Sequence, residues 1–188
     1  MKKILFLAIV SIFFVSNAYT QKKLIAFSSD ATKNDKQQIF VMDTDGDNVQ
    51  QVSFLELDCY APKFSPDGKK IVFSATNRIS DYLYMVNLDD TSTFRFPAFI
   101  DGGVDPHFSA DGKSLLYRSE RELSNNVYIM DLESGEQFVI SDGSLSTHAE
   151  FNADGTKVIY SNSMDQNFDL VVLDLTDTTE NAQKDIVS

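Results

Sequence analysis

Several residue types are scarce in this 188-residue sequence, and their scarcity limits which folds and which kinds of partner are possible. Trp is absent, and only four Pro, two His and a single cysteine, Cys59, occur. A lone cysteine cannot form an internal disulfide, so the fold must rest on a hydrophobic core. Basic residues are also few, with 16 Lys and Arg against 28 Asp and Glu, and the net charge is −12. Such an acidic surface repels phosphate backbones, so we expect no nucleic-acid partner.

Long apolar runs are also missing, with one exception at the N-terminus. Two lysines precede an apolar run over residues 4–15, and Ser16 and Ala18 follow with the small side chains of a signal-peptidase site. The pattern predicts a signal peptide over residues 1–20 and a mature chain that is periplasmic or secreted. The run has 12 residues, fewer than the roughly 20 of a transmembrane helix, so we expect no membrane span in the mature chain. An uncleaved anchor is the alternative, and the lack of a cysteine near the cut argues against a lipoprotein.

One sequence pattern occurs three times at nearly constant spacing. The segments FSPDGKKIVFSA, FSADGKSLLYRSE and FNADGTKVIYSNS begin at Phe64, Phe108 and Phe151, which are 44 and 43 residues apart. A second pattern, which IFVMDTDG exemplifies, keeps the same period and reaches an acidic or amide residue each time: Asp43, Asn87, Asp131 and Asp174. Two patterns that keep one period indicate a structural repeat.

Each repeat has the composition of four short β-strands. SPDG is a tight turn in which Pro66 presets φ and Gly68 accepts the left-handed conformation, and Gly112 and Gly155 occupy the same place in later repeats. The runs after these turns are apolar on both faces, as in strands that lie between neighbouring sheets. No segment after residue 20 shows a sustained helical period. The sequence therefore predicts an all-β protein of four-stranded antiparallel sheets.

Four-stranded sheets that repeat at about 40–45 residues are typical of β-propeller blades. PKFSPDGKKIVFSA, from Pro62, and IFVMDTDGDNVQQVS, from Ile39, resemble the WD40-like (PD40-type) repeats of the TolB-like β-propeller family. The resemblance covers essentially the whole predicted mature chain, and similar repeats occur in the propellers of prolyl-oligopeptidase-like peptidases. It implies a non-catalytic module that binds a protein partner in the cell envelope and carries no cofactor.

The number of repeats differs from that of the family. We predict four units, at about residues 21–60, 61–104, 105–147 and 148–188, and the first lacks an inner strand because no PxFSPDG segment precedes Phe27. Six-bladed propellers of the family need about 260 residues at this period. We expect an incomplete, open propeller, and the alternatives are a closed four-bladed ring or a truncated piece of a longer chain. An open arc leaves an apolar face uncovered, which favours self-association or another protein partner.

Three residues stand out as candidates for an interaction. Lys63, His107 and Glu150 each come one residue before the repeat Phe, on strands that line the central channel of a propeller. We predict that they line this channel or take part in an interaction. A metal site is not predicted, because the second histidine, His148, is placed just before the inner strand of the fourth unit and does not match His107 in position.

Other features of the sequence predict no chemistry. In DTDGDN, over residues 43–48, Asp alternates as in a calcium loop, but Gly46 stands at position four and Phe54 at position twelve, where an EF-hand has Gly at six and Glu at twelve. There is no G-x-S-x-G nucleophile elbow, and Cys59 has no neighbouring His. We therefore predict no catalytic residue. The alternative is a propeller-based carbohydrate-active enzyme, or the remnant of a propeller peptidase without its hydrolase domain.

Overall fold

The structure is a computed structural model that describes residues 23–32, 35–97, 102–121, 124–141, 145–164, 167–177 and 183–187. Within these ranges the chain forms 15 strands in four antiparallel sheets and no helix, so the all-β prediction is confirmed. No helix with the length and apolarity needed to cross a membrane occurs in the described ranges. The predicted signal peptide, residues 1–20, lies outside them.

The strands follow the chain in simple up-and-down order. The first sheet contains β1 (Leu24–Ser29), β2 (Gln38–Asp43) and β3 (Gln50–Gln51). The second contains β4 (Asp58–Phe64), β5 (Lys70–Thr76), β6 (Asp81–Asn87) and β7 (Thr93–Arg95). The third contains β8 (Gly103–Phe108), β9 (Ser114–Arg121), β10 (Ser124–Asp131) and β11 (Gln137–Val139). The fourth contains β12 (Leu145–Phe151), β13 (Lys157–Met164), β14 (Asn167–Asp174) and β15 (Gln183–Val187).

The turns SPDG, SADG and NADG close the hairpins between the first two strands of the second, third and fourth sheets. In the second sheet the Ser65 hydroxyl donates to the Asp67 carboxylate over 2.6 Å, and the Lys69 backbone N–H donates to the same carboxylate over 3.0 Å. Both hydrogen bonds lower the pKa of Asp67, and the one from Ser65 has the larger effect. Gly68 has a φ of 67°, which is why the repeat keeps glycine at this place.

Stacked aromatic pairs lie in two of the three core layers. Phe73 stacks on Tyr84, its partner across β5 and β6, with ring centroids 5.9 Å apart. Phe73 packs against Ile39 and Val41 of the first sheet. The same arrangement recurs one sheet later, where Tyr117 pairs with Tyr128 and packs against the second sheet. Each pair therefore faces the preceding sheet.

Neighbouring sheets pack face to face, and three hydrophobic clusters fill the spaces between the four of them. Contacts among the described strands run from the first sheet to the second, from the second to the third and from the third to the fourth. On the fourth sheet, apolar side chains of β13 and β14 stay exposed on the face away from the third. The structure is therefore an open, incomplete propeller, as the sequence predicts.

Each inner strand of the four-stranded sheets contains a β-bulge at one repeat position. The register between inner and second strand shifts three residues before the repeat Phe, at a residue with φ between 51° and 53°: Ala61, Asp105 or His148. His148 therefore lies inside β12, and the prediction that it precedes the strand is wrong. The repeat pattern covers only the part of the strand after the bulge, whereas the strand begins earlier, at Leu145.

Candidate functional site in the channel-facing cavity

The inner strands β4, β8 and β12 lie side by side and form one concave surface. Lys63, His107 and Glu150 project from them into a single cavity of about 450 Å³. The three residues that the sequence singled out are thus brought together by the sheet packing. The remaining lining residues come from the bulges on the same three strands: Ala61, Pro62, Asp105, His148 and Ala149.

His107 occupies the middle of this cavity and is half-buried. Burial lowers the pKa of its imidazole, and the positive charge of Lys63 acts in the same direction. The carboxylates of Glu150 and Asp105 raise that pKa, but their effect is smaller. The imidazole is therefore neutral at neutral pH, with one nitrogen that donates a hydrogen bond and one that accepts.

Lys63 and Glu150 are exposed on either side of His107 and carry opposite charges. Within the described part of the chain, the side chains of these three residues form no hydrogen bond or ion pair. Their polar atoms are therefore directed to solvent or to a ligand, and not to the fold. A cation, a neutral imidazole and an anion are thus available along one surface, at one repeat position.

Asp105 is held at the cavity wall by groups on neighbouring strands. Its carboxylate lies 3.6 Å from the Arg118 guanidinium, and its backbone N–H donates to the Ser74 hydroxyl over 3.1 Å. Close by, the Tyr60 hydroxyl donates to the Asp81 carboxylate over 3.0 Å. Burial and the Asp81 charge raise the pKa of Tyr60, so this hydroxyl remains a donor. The two contacts of Asp105 stabilise the bulge in the third sheet.

Sequence reasoning missed Asp105 and His148 as lining residues. Each lies two residues before a predicted residue, but a β-bulge at this place interrupts the period-2 alternation of side chains, so the repeat pattern does not assign them to a face. His148 is exposed, and its Nδ1 atom lies 3.0 Å from the Thr147 hydroxyl. Among the described residues, no group of three or more His, Cys, Asp or Glu side chains is placed to hold a metal ion.

The other candidates from the sequence have structural roles. Cys59 is fully buried, and burial raises the pKa of its thiol to about 11, so the thiol is protonated at neutral pH. In DTDGDN, the Asp43 carboxylate accepts a hydrogen bond from the Asn48 side-chain amide over 2.6 Å. The backbone N–H of Gly46 donates to the Asp43 carbonyl, which closes the turn. Asp43 is therefore part of a hairpin turn.

Comparison with known proteins identifies the family to which this repeat architecture belongs. The model of the TolB β-propeller domain matches residues 15–185. The chain belongs to this TolB propeller family. The Tol-Pal system protein TolB of Wolbachia pipientis subsp. Culex pipiens (strain wPip) is 31% identical over 80 residues, which are 43% of this chain and 19% of that protein.

Solved structures agree on the fold of this family member. TolB from Acinetobacter baumannii superposes with a TM-score of 0.72 at 23% identity, over 86% of this chain and 41% of that one. The tricorn protease superposes with a TM-score of 0.61 at 16% identity, over 84% of this chain and 17% of that one. Likenesses at these identities show the propeller fold alone. The chain spans less than half the length of the TolB proteins named here.

Proposed function

We propose that this chain is an exported, non-catalytic module that binds a protein partner of the cell envelope in the cavity around His107. One observation carries the proposal. Three matched repeat positions, one on each inner strand, present the polar groups of Lys63, His107 and Glu150 to one cavity without partners among the described residues. The family and the signal-like N-terminal residues support the location, since the Wolbachia relative is a Tol-Pal system protein.

The chemistry of these groups suits an extended polypeptide segment. The Lys63 ammonium donates to a carboxylate or a backbone carbonyl, and the Glu150 carboxylate accepts from an ammonium or a backbone N–H. Between them, the neutral His107 imidazole can do both. A polypeptide carries donors and acceptors along its length, so one segment can satisfy all three groups. The net charge of −12 favours a partner whose surrounding surface is basic.

Affinity capture from an envelope extract tests this binding site. The double variant Lys63→Ala, Glu150→Ala is compared with wild type and with the control Lys69→Ala, Glu133→Ala, which removes the same two charges from exposed turns. We expect one protein to be enriched by wild type and by the control but lost with the first variant. Calorimetric titration of that protein should show at least roughly tenfold weaker binding, because two charged hydrogen bonds are removed. Equal capture by all three proteins would contradict the proposal.

Export is tested separately by cell fractionation and N-terminal sequencing. We expect the chain in the periplasmic or secreted fraction, with a new N-terminus near residue 21. Replacing Leu7 and Ile9 of the apolar run by Asp should retain the chain inside the cell, because a signal peptide needs an apolar segment. An uncut chain in the cytoplasm of the wild-type cell would contradict export.

An enzymatic function is the second candidate, because His107, His148, Asp105 and Glu150 share one cavity. A general base must lie within hydrogen-bond reach of the group that it serves. Within the described ranges, neither imidazole is hydrogen-bonded to a carboxylate. Incubation with peptides and with acidic oligosaccharides distinguishes the two functions. Turnover that is abolished by His107→Ala would show an enzyme, and the same absence of turnover with and without the substitution is expected for a binding module.

A further inference from the structure

A second cavity lies between the second and third sheets, at the end of the molecule that carries the SPDG and SADG turns. Its volume is about 660 Å³, within the roughly 300–1,000 Å³ that is usual for ligand sites. The described residues that line it include none of those that line the cavity around His107. Both sheets that form it have four strands, so this cavity does not depend on either end of the arc.

The floor of this inter-sheet cavity is apolar and belongs to the core between the two sheets. It consists of four side chains from one hydrophobic cluster: Met85, Phe96, Phe108 and Leu132. Phe94, on the outermost strand β7, forms the wall of the cavity, and its ring meets that of Phe96 edge to face with centroids 5.4 Å apart. Phe94 is 51% exposed, so about half of its surface is available to a ligand.

The repeat does not require an aromatic residue at the place of Phe94. Phe94 pairs with Met85 across β7 and β6, and the same place in the first sheet is held by Gln50, which pairs with Val41. Gln50 is polar and exposed, so the outer strand forms there without an aromatic side chain. The third sheet has Phe138 in this place, which is exposed but does not line the cavity. Phe94 thus offers an apolar surface that the fold does not need.

The four turns around the inter-sheet cavity carry an excess of negative charge, which lies on the outer side. The inner turns, residues 65–70 and 109–114, hold two Asp and three Lys. The outer turns, residues 87–92 and 131–136, hold five acidic residues and no basic one. Seven acidic residues against three Lys give the four turns a net charge of −4. This field favours a ligand with a positive charge on its outer side.

Asp111 is the carboxylate that lines the inter-sheet cavity on the side of the third sheet. Its Oδ1 atom accepts hydrogen bonds from the Lys113 backbone N–H over 3.0 Å and from the Ser109 hydroxyl over 2.7 Å. These hydrogen bonds lower the pKa of Asp111, and the Lys113 charge adds a smaller effect in the same direction, so the carboxylate is charged at neutral pH. Among the described residues nothing donates to its Oδ2 atom. On the opposite side, the charges of the lining residues Lys70 and Asp67 offset each other.

We propose that the inter-sheet cavity binds a segment of a partner polypeptide in which an aromatic side chain is adjacent to Arg or Lys. The aromatic ring packs on Phe94, Phe108 and Met85, since rings and sulfur form favourable contacts with a ring beyond the burial of apolar surface. The basic side chain pairs with the Oδ2 atom of Asp111 and lies in the field of the outer turns. A polypeptide supplies an apolar anchor and a charged neighbour on consecutive residues. This inference does not rest on the proposed function of the cavity around His107.

NMR titration of the purified, isotope-labelled chain tests the site with three synthetic tetrapeptides whose ends are blocked. The first is Ser-Phe-Arg-Ser, the second has Glu in place of Arg, and the third has Ala in place of Phe. At millimolar concentration the first should shift the backbone amide signals of lining residues such as Met85 and Gly112. The second should bind roughly three- to tenfold more weakly, because a repulsion replaces an exposed ion pair. The third should not shift these signals.

Two variants, each with a matched control from another sheet, connect the binding to this cavity. Phe94→Gln should abolish the shifts that the first peptide causes. Phe138→Gln, the equivalent change on the outer strand of the third sheet, should leave them unchanged. Asp111→Asn should reduce the preference for the Arg peptide over the Glu peptide, whereas Asp154→Asn, at the equivalent turn residue of the fourth sheet, should not. The amide spectrum of each variant without peptide shows whether it is folded.

Three results would overturn the proposal. The first is the absence of shifts at the cavity with the first peptide, and the second is equal binding of all three peptides. The third is a shift of the lining residues that depends on protein concentration without any peptide, because that would indicate a second copy of this chain in the cavity. The double variant Lys63→Ala, Glu150→Ala should bind the first peptide as wild type does, so the two proposals fail independently.

Discussion

The third and fourth sheets are built from the same repeat, yet only the third is covered on both faces. In β9, the neighbouring residues Leu116 and Tyr117 are both fully buried, although they point to opposite faces of the sheet. In β13, the equivalent Tyr160 is fully buried, whereas Ile159 is exposed. The comparison shows that the repeat specifies an apolar residue at both of these strand positions. The neighbouring sheet decides how much that residue contributes to stability.

The largest expected difference is in the cost of truncating the two equivalent residues. Leu116→Ala should lower the free energy of unfolding by about 3 kcal/mol, because it removes fully buried methyl groups and leaves a cavity. Ile159→Ala should cost about 1 kcal/mol or less, because the side chain is partly hydrated in the folded chain. Urea denaturation of the two single variants measures both losses. Equal losses would show that the outer face of the fourth sheet is covered after all.

The hairpin turns should not distinguish the two sheets, because their strain is local. Gly112 and Gly155 have φ values of 71° and 74°, and a Cβ added at either would meet its nearest atom no closer than 3.5 Å. Alanine at each position should therefore cost about 1 kcal/mol from the left-handed conformation alone. Urea denaturation of the two variants checks this. A much larger loss at Gly112 would mean that the covered sheet also constrains its turn.

The smallest expected effect is the pH dependence contributed by His107 in the third sheet. Burial lowers its pKa in the folded chain, so the unfolded chain binds the proton more readily. The stability that the neutral imidazole contributes is therefore fully present above about pH 6.5, the unperturbed value, and is lost as the pH falls toward the folded value. His107→Gln should remove this part of the pH dependence.

Unfolding curves at pH 7.5 and at successively lower pH measure that contribution as the difference between wild type and His107→Gln. His148→Gln in the fourth sheet is the matched control, since His148 is exposed in the same cavity. A difference between wild type and His107→Gln that stays constant with pH would contradict the lowered pKa. Lys63, Glu150 and Asp105 face His107 and are retained in all three proteins.

Much of the fold could be predicted because it depends on local residue patterns that recur in each repeat. The left-handed glycine of each turn and the apolar strands around it mark the hairpins whatever surrounds them. The bulges could not be predicted in this way. Ala61, Asp105 and His148 adopt a positive φ although none is glycine, and the surrounding contacts, such as that of Asp105 with Arg118, maintain this conformation.

The candidate site could also be predicted only in part. Alternation along the inner strands was enough to select Lys63, His107 and Glu150, because a side chain's face depends only on its position in the strand. Their convergence on one cavity depends on how three sheets pack, and so does the lowered pKa of His107. Asp105 and His148 joined the cavity through the bulges that the repeat pattern does not reveal.

The sequence by itself determined the repeat period, the turns, the alternation of side chains and the acidic charge, because each follows from the chemistry of neighbouring residues. Only the tertiary structure decided which apolar faces are covered and which polar groups meet. Burial and electrostatic shifts arise from residues of other sheets, far apart in the chain. Ile159 and Leu116 show this most directly, because the same repeat position is exposed in one sheet and buried in the other.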